Sequence, residues 1–243
     1  MDPPAGGHAR PLRAFEEIVS QFEQAIREGS LRTGDRLPAE RELAHAFQVS
    51  RTSLREALRA LEAIGVLRAR RGQGTVSGSV VEPQRDRLTS LLALHVAAGR
   101  FPAHDLLEVR RELDAMVART AAERGAPADE LERLVEAMDQ AETDADFVRL
   151  ECDFHGAVAR LSGNELAPFL LEALRDLLAA EVHGFLEGSG DPAEARRRLN
   201  AQHAELAAHI ARGDAEAAGQ AGAEHVRELA AQVLGSSPVP AGD

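Results

Sequence analysis

The chain contains no lysine: all 28 of its Lys-plus-Arg residues are arginine. That absence removes the phosphate-cradling loop that ends in Gly-Lys and every mechanism built on a lysine Schiff base. Cysteine is nearly as scarce. With Cys152 alone, neither an internal disulfide nor a thiolate zinc cage can form, and the residue reads as a small buried hydrophobe. Long apolar runs are missing too: none approaches the ~18 residues of a membrane-spanning helix, and the opening stretch MDPPAGGHARP has no apolar signal core. These absences lead us to expect a cytoplasmic, nucleoid-associated protein with no membrane partner.

What is present is an ordinary globular composition, 44% hydrophobic and 28% charged. The net charge of −12 hides an uneven distribution. The first 80 residues hold 12 arginines against 10 acids, whereas the remainder holds 16 against 30. Within 31–76 the count is 9 arginines against 5 acids, so a basic segment stands ahead of an acidic body. Such a split suggests a nucleic-acid-binding head.

Phe15, Ile18, Val19, Phe22 and Ile26 fall at helical spacing, with Gly29 placed to end the helix. Pro38 suits the first position of a second helix bearing Leu43, Ala44 and Phe47, and Ser50 is a natural N-cap for a third. That third helix carries Leu54, Ala57, Leu58, Leu61 and Ile64 on one stripe and stops at Gly65. Val66–Arg70 then reads as a strand, Gly72-Gln73-Gly74 as a turn and Thr75-Val76 as the returning strand. The expectation is a winged helix-turn-helix domain over 11–78, a linker over 79–87 and an all-α domain over 88–235. The overall class is mainly α, the second domain being an antiparallel helical bundle of six or seven helices separated by Gly- and Pro-bearing breaks. The first ten residues and the tail from Gly235 are expected to be disordered.

In the third helix Arg51, Arg55 and Arg59 are spaced four apart, away from the leucine stripe. Arginine can grip guanine O6 and N7 together, although an ordinary solvated face would show the same pattern. The run LRTGDRLPAERELA (31–44), then VSRTSLREAL (49–58), then LEAIGVL (61–67) resembles the GntR family of bacterial regulators. The resemblance implies operator contacts at Arg41, Ser50, Arg51, Thr52, Arg55, Arg71 and Gly72. Arg41 and Thr52 would meet phosphates, Arg51 and Arg55 base edges, and Arg71 a minor groove at the wing tip.

Leu106–Asp114 with Ala121-Ala122, then Phe154-His155 and Ser162-Gly163-Asn164, then His203 and His225, is similar to the FadR-type effector domain called FCD. Many members of that class hold one divalent metal with an Asp and three His. Carried over, the ligands are His155, His203 and His225 on three different helices. Glu151 stands where the class has its Asp, one helical turn before His155. Zinc, nickel, manganese, cobalt or iron would suit such a set. Arg110 matches an arginine suited to an anionic effector, an organic or sugar acid, although a helix-surface pair with Asp114 reads the same way. His8, His45, His95, His104, His183 and His209 have no counterpart.

Together these readings imply a homodimeric, effector-responsive repressor of a palindromic operator, and not an enzyme. The alternative is a metal-dependent helical-bundle enzyme. The sequence lacks HExxH, and its bundle segment contains no Glu-x-x-His pair of the di-iron type.

Overall fold

The computed structural model describes residues 9–69, 79–81, 84–188 and 190–236. Two compact units divide the chain, Met1–Ser90 and Leu91–Asp243. The first contains α1 (Ala9–Arg27), α2 (Glu40–Ala46), α3 (Arg51–Ala63), β1 (Leu67–Ala69) and β2 (Ser79–Val81). Helix α1 therefore starts inside the stretch expected to lack structure. Its Ile18 and Phe22 are buried with Leu43 and Ala44 of α2 and with Leu54, Leu58 and Leu61 of α3. Phe22 and Phe47 meet edge to face, with centroids 5.3 Å apart, which favours the rings' quadrupoles.

Ser50 caps α3 as expected, its Oγ accepting from the Ser53 N–H at 3.0 Å. Helix α2 begins two residues later than the Pro38 reading. Ala39 keeps an extended ψ of 143°, so Pro38 fixes the lead-in and not the first turn. The α2–α3 turn holds Gln48 at φ 55°, the left-handed region that β-carbon-bearing residues rarely occupy.

The sheet takes in residues beyond the expected wing. Leu67–Ala69 pairs antiparallel with Ser79–Val81, in the register Leu67↔Val81; the strand read at Thr75-Val76 lies outside the described residues. Val81 is buried. Its carbonyl accepts from the Gly34 N–H at 2.8 Å and its N–H donates to the Asp35 carbonyl at 3.3 Å. Backbone bonds to both flanks and a buried β-branched side chain make 79–81 part of the sheet, not of a linker. Helix α4 (Arg85–Ala97) follows after three residues and runs past the boundary between the units.

Beyond α4 come α5 (Ala103–Glu123), α6 (Asp129–Asp139), α7 (Asp144–Leu161), α8 (Leu166–Gly188), α9 (Pro192–Ala211) and α10 (Ala215–Ser236). With α4 these are seven helices among the described residues, joined at the Gly- and Pro-bearing breaks read from the sequence except between α6 and α7, where residues 140–143 hold neither residue type and Thr143 caps α7. Gly235 and Ser236 belong to α10 and not to a tail. Helix α5 packs most extensively on α10. At Gly222 an added Cβ would stand 3.1 Å from the Asp114 carbonyl oxygen, so the small residue permits the approach. Phe147, Phe154, Val158, Leu171, Leu206 and Ile210 are among the residues that fill the core between these helices.

Gly65 turns the chain from α3 into β1 at φ 82°, and a Cβ there would lie 3.0 Å from the Arg87 Cβ and 3.2 Å from the Gln84 carbonyl oxygen. Gly65→Ala should lower the stability of the first unit by about 1–3 kcal/mol. Calorimetry should show one transition moving and the other, from the helical unit, staying in place. An unchanged thermogram would contradict this account of the turn.

Candidate metal centre and DNA-binding face

In the first unit, packing divides α3 into two faces. Leu54, Ala57, Leu58 and Leu61 are buried, whereas Arg51, Thr52, Arg55 and Arg59 are exposed. Arg41 on α2 and Ser50 are exposed as well. Ser50 already uses its hydroxyl as the helix cap. Arg55 is engaged across the helix-turn-helix: its Nη2 lies 2.8 Å and its Nε 3.3 Å from Glu40 Oε2. Arg71 and Gly72 lie outside the described residues.

In the second unit Glu151 and His155 from α7, His203 from α9 and His225 from α10 converge. One ligand atom from each lies within 4.8 Å of all the others, and all four residues are buried. His155 Nε2 and His225 Nε2 are 3.1 Å apart. His203 packs against both rings, at centroid distances of 5.2 and 4.5 Å. Both nitrogens of His203 are buried without a hydrogen-bond partner among the described residues. A buried imidazole with neither nitrogen satisfied is costly unless something else binds it. The surroundings are those of metal-ligating histidines, whose second nitrogen is held by a carboxylate or amide. His225 Nδ1 meets Gln202 Oε1 at 2.8 Å, and His155 Nδ1 faces Asp114 Oδ1 at 3.5 Å. Gln202 in turn donates to Glu228. This donor set fits one divalent ion held by Glu151, His155, His203 and His225.

Behind the cluster lies a closed set of charges. Arg110 is buried in the core, not on the helix surface. Its Nε lies 3.2 Å from Asp114 Oδ2 and its Nη2 3.2 Å from Glu151 Oε1. Arg175 of α8, only 3% exposed, reaches Asp114 Oδ1 at 3.0 Å. Burial alone would raise the Asp114 carboxyl, but Arg175, His155 and Arg110 hold it well below the usual carboxylate range. Glu151 faces the same burial, which interaction with the neighbouring His155 and Arg110 outweighs, bringing it to about 2. Burial, then the neighbouring His155 ring, depresses His203 to about 3, and burial with both neighbouring rings lowers His225 well below its ordinary value. Burial and the adjacent Glu151 push the half-buried Cys152 thiol up to about 12, so it stays protonated and unreactive at neutral pH. Between α9 and α10, a cleft of about 440 Å³ is lined by Gln202, Glu205, His209, Gln220, Glu224 and His225, among others.

Residues 14–76 match the family described as bacterial regulatory proteins, gntR family, and residues 105–228 match the FCD domain, so that every member of the buried cluster falls inside the second match. The chain belongs to the GntR family. It is 36% identical to the Bacillus subtilis regulator LutR over 63% of this chain and 70% of that one. It is 34% identical to the transcriptional repressor NanR of Cronobacter sakazakii over 70% and 68%. The Streptococcus agalactiae GntR structure shares the fold at a TM-score of 0.61 and 24% identity, covering 88% of this chain and 98% of its own. This GntR-family chain is accordingly a transcription regulator, an assignment that points away from the enzyme alternative. No helix among its described residues is long and apolar enough to cross a membrane.

Metal-free protein should lose stability on mild acidification. The folded value of His203, about 3, lies below its ordinary 6.5. Between those values the unfolded chain therefore binds more protons, and stability falls as the pH falls. Asp114 and Glu151, both depressed, contribute stability that is present above ~4 and lost on further acidification. The thermal midpoint of chelator-treated protein should drop from pH 7 to pH 5, and His203→Leu should flatten that drop. A midpoint indifferent to pH over this range would count against a neutral, buried His203.

Proposed function

We propose that this regulator is an effector-responsive repressor of the FadR type. Its N-terminal unit binds a palindromic operator, and its FCD domain holds a divalent metal and a small anionic effector. The observation that carries the reading is the buried Glu151/His155/His203/His225 cluster, with its unsatisfied His203, inside the FCD segment. Zinc, nickel, manganese, cobalt or iron would serve. When bound, the metal supplies a Lewis-acidic contact for an oxygen of the effector.

Charge balance favours an anion. Arg110 and Arg175 offset Asp114 and Glu151, so a divalent ion added to neutral imidazoles leaves the buried site positive, and a carboxylate offsets that excess. An organic or sugar acid fits. Arg110 contributes as the cation that orients Glu151.

On the DNA side, Arg41 and Thr52 meet phosphates, Ser50 positions the start of α3, Arg51 and Arg55 read base edges, and Arg71 and Gly72 form the wing contact. Arg55 must exchange Glu40 for DNA. One winged helix reads few base pairs, so a homodimer on an inverted repeat follows from symmetry. Leu91 and Leu94 on α4 and Val109 on α5, each more than half exposed, supply apolar surface for the partner copy. Repression, at a cytoplasmic operator, is supported by the similar chain described as a repressor. Effector binding shifts the dimer between DNA-binding and released arrangements by no more than its differential affinity for the two.

Two measurements test this. Protein purified without a metal-affinity tag should carry about one metal per chain, and His203→Ala should lose it. In gel shifts at one salt concentration, Arg51→Ala should cost about 1–3 kcal/mol of discrimination between operator and random DNA, whereas Arg41→Ala should weaken both alike. Equal loss on both DNAs for Arg51→Ala would remove it from base readout.

A further inference from the structure

Arg175 is the one cation of the buried charge network whose donors are left over. Arg110 has a carboxylate at each end, Asp114 at its Nε and Glu151 at its Nη2. Arg175 has a single acceptor, Asp114 Oδ1, bound through Nη2. Its Nε and Nη1 are buried and have no partner among the described residues. Asp114 cannot satisfy them, because it already serves Arg110, Arg175 and His155. Unpaired buried donors on a permanently charged group are rare, and they mark a place where an acceptor binds.

We infer that Arg175 is the anion receptor of the helical domain, its Nε and Nη1 taking carboxylate oxygen of a small organic acid. This deepens the effector reading proposed above and rests on it. Three features support the assignment. The guanidinium is 3% exposed, so a charge-assisted bond to it forms with little competition from water. Its counter-ion Asp114 Oδ1 also faces His155 Nδ1, which puts the receptor one residue from the metal-ligand cluster. An acid bound there can present a second oxygen to that cluster. Arg175 also shares its stripe of α8 with the buried Leu171, Leu174 and Leu178, so the guanidinium is held in an apolar setting in which an unmet donor is costly.

The test is calorimetric titration of acetate, the smallest such probe with a methyl group, into the full-length protein. Zinc-loaded and chelator-treated samples of wild type, Arg175→Gln and Arg175→Lys are compared. Wild type should bind acetate saturably. Arg175→Gln should bind it about tenfold or more weakly, with zinc content and circular dichroism unchanged. Arg175→Lys keeps the charge toward Asp114 but lacks the second donor arm, and should fall between the two. If the glutamine variant does not fold, the lysine variant decides. Wild-type acetate affinity in a folded variant would mean that the metal alone holds the carboxylate, and would overturn the assignment. So would the lack of saturable binding by wild type up to about 50 mM. Failure of the metal reading looks different: no zinc is retained, yet acetate binding in chelated samples still depends on Arg175.

Discussion

Everything in the helical unit turns on the Asp114 carboxylate. It lies in the interior, yet it is the shared counter-ion of Arg110 one turn away, of Arg175 on α8 and of the His155 ring on α7. Asp114 has more than one partner, so the loss of one arginine leaves its charge partly compensated, whereas the loss of Asp114 itself would strand two buried guanidinium groups, a change that typically costs about 3–5 kcal/mol. The shared carboxylate ties α5 to α7 and α8. The histidine cluster inherits its order from these charges. Glu151 is oriented by Arg110, His155 by Asp114, and His225 by Gln202. Among the described residues His203 alone has no such guide, and neither of its nitrogens has a partner there.

The DNA-binding unit solves a different problem, that of holding an arginine-rich helix on a small core. Leucines and alanines of α3 face Ile18 and Phe22, and the opposite side is left to Arg51, Thr52, Arg55 and Arg59. The Glu40–Arg55 pair ties α2 to α3 through side chains that remain partly exposed, at 12% and 46%. A pair of that kind contributes modestly to stability, on the order of 1 kcal/mol or less, and can be exchanged for a phosphate or a base edge without great loss.

Much of this was legible in the sequence because the relevant signals are local. Helical periodicity, the Ser50 cap and the glycines at the breaks each act within a turn or two, and the resemblance to known families carried Glu151, His155, His203 and His225 to their places. The pairing of Ser79–Val81 was not legible. Val81 is claimed by Gly34 and Asp35, a long way back in the chain, and no local pattern announces such a pairing. Arg175 was missed although a signal existed. Leu171, Leu174, Arg175 and Leu178 occupy one stripe of α8, and an arginine within an apolar stripe is a buried charge in need of partners. Arg110 and Asp114 sit in the same way among Leu106, Leu107, Leu113 and Val117, which is why the surface ion pair read there lies in the core.

The contact between His155 Nε2 and His225 Nε2 has a stoichiometric consequence. At 3.1 Å two imidazole nitrogens face each other with one hydrogen between them, since two bare lone pairs would repel and two N–H groups would collide. The far nitrogen of His225 is committed to Gln202 and that of His155 looks toward Asp114, so neither ring escapes by turning over. Were both Nε2 atoms to hold a cation, that hydrogen would leave as a proton. Filling the proposed centre would thus be coupled to buffer protonation, and its heat would change with the ionisation enthalpy of the buffer in which it is measured.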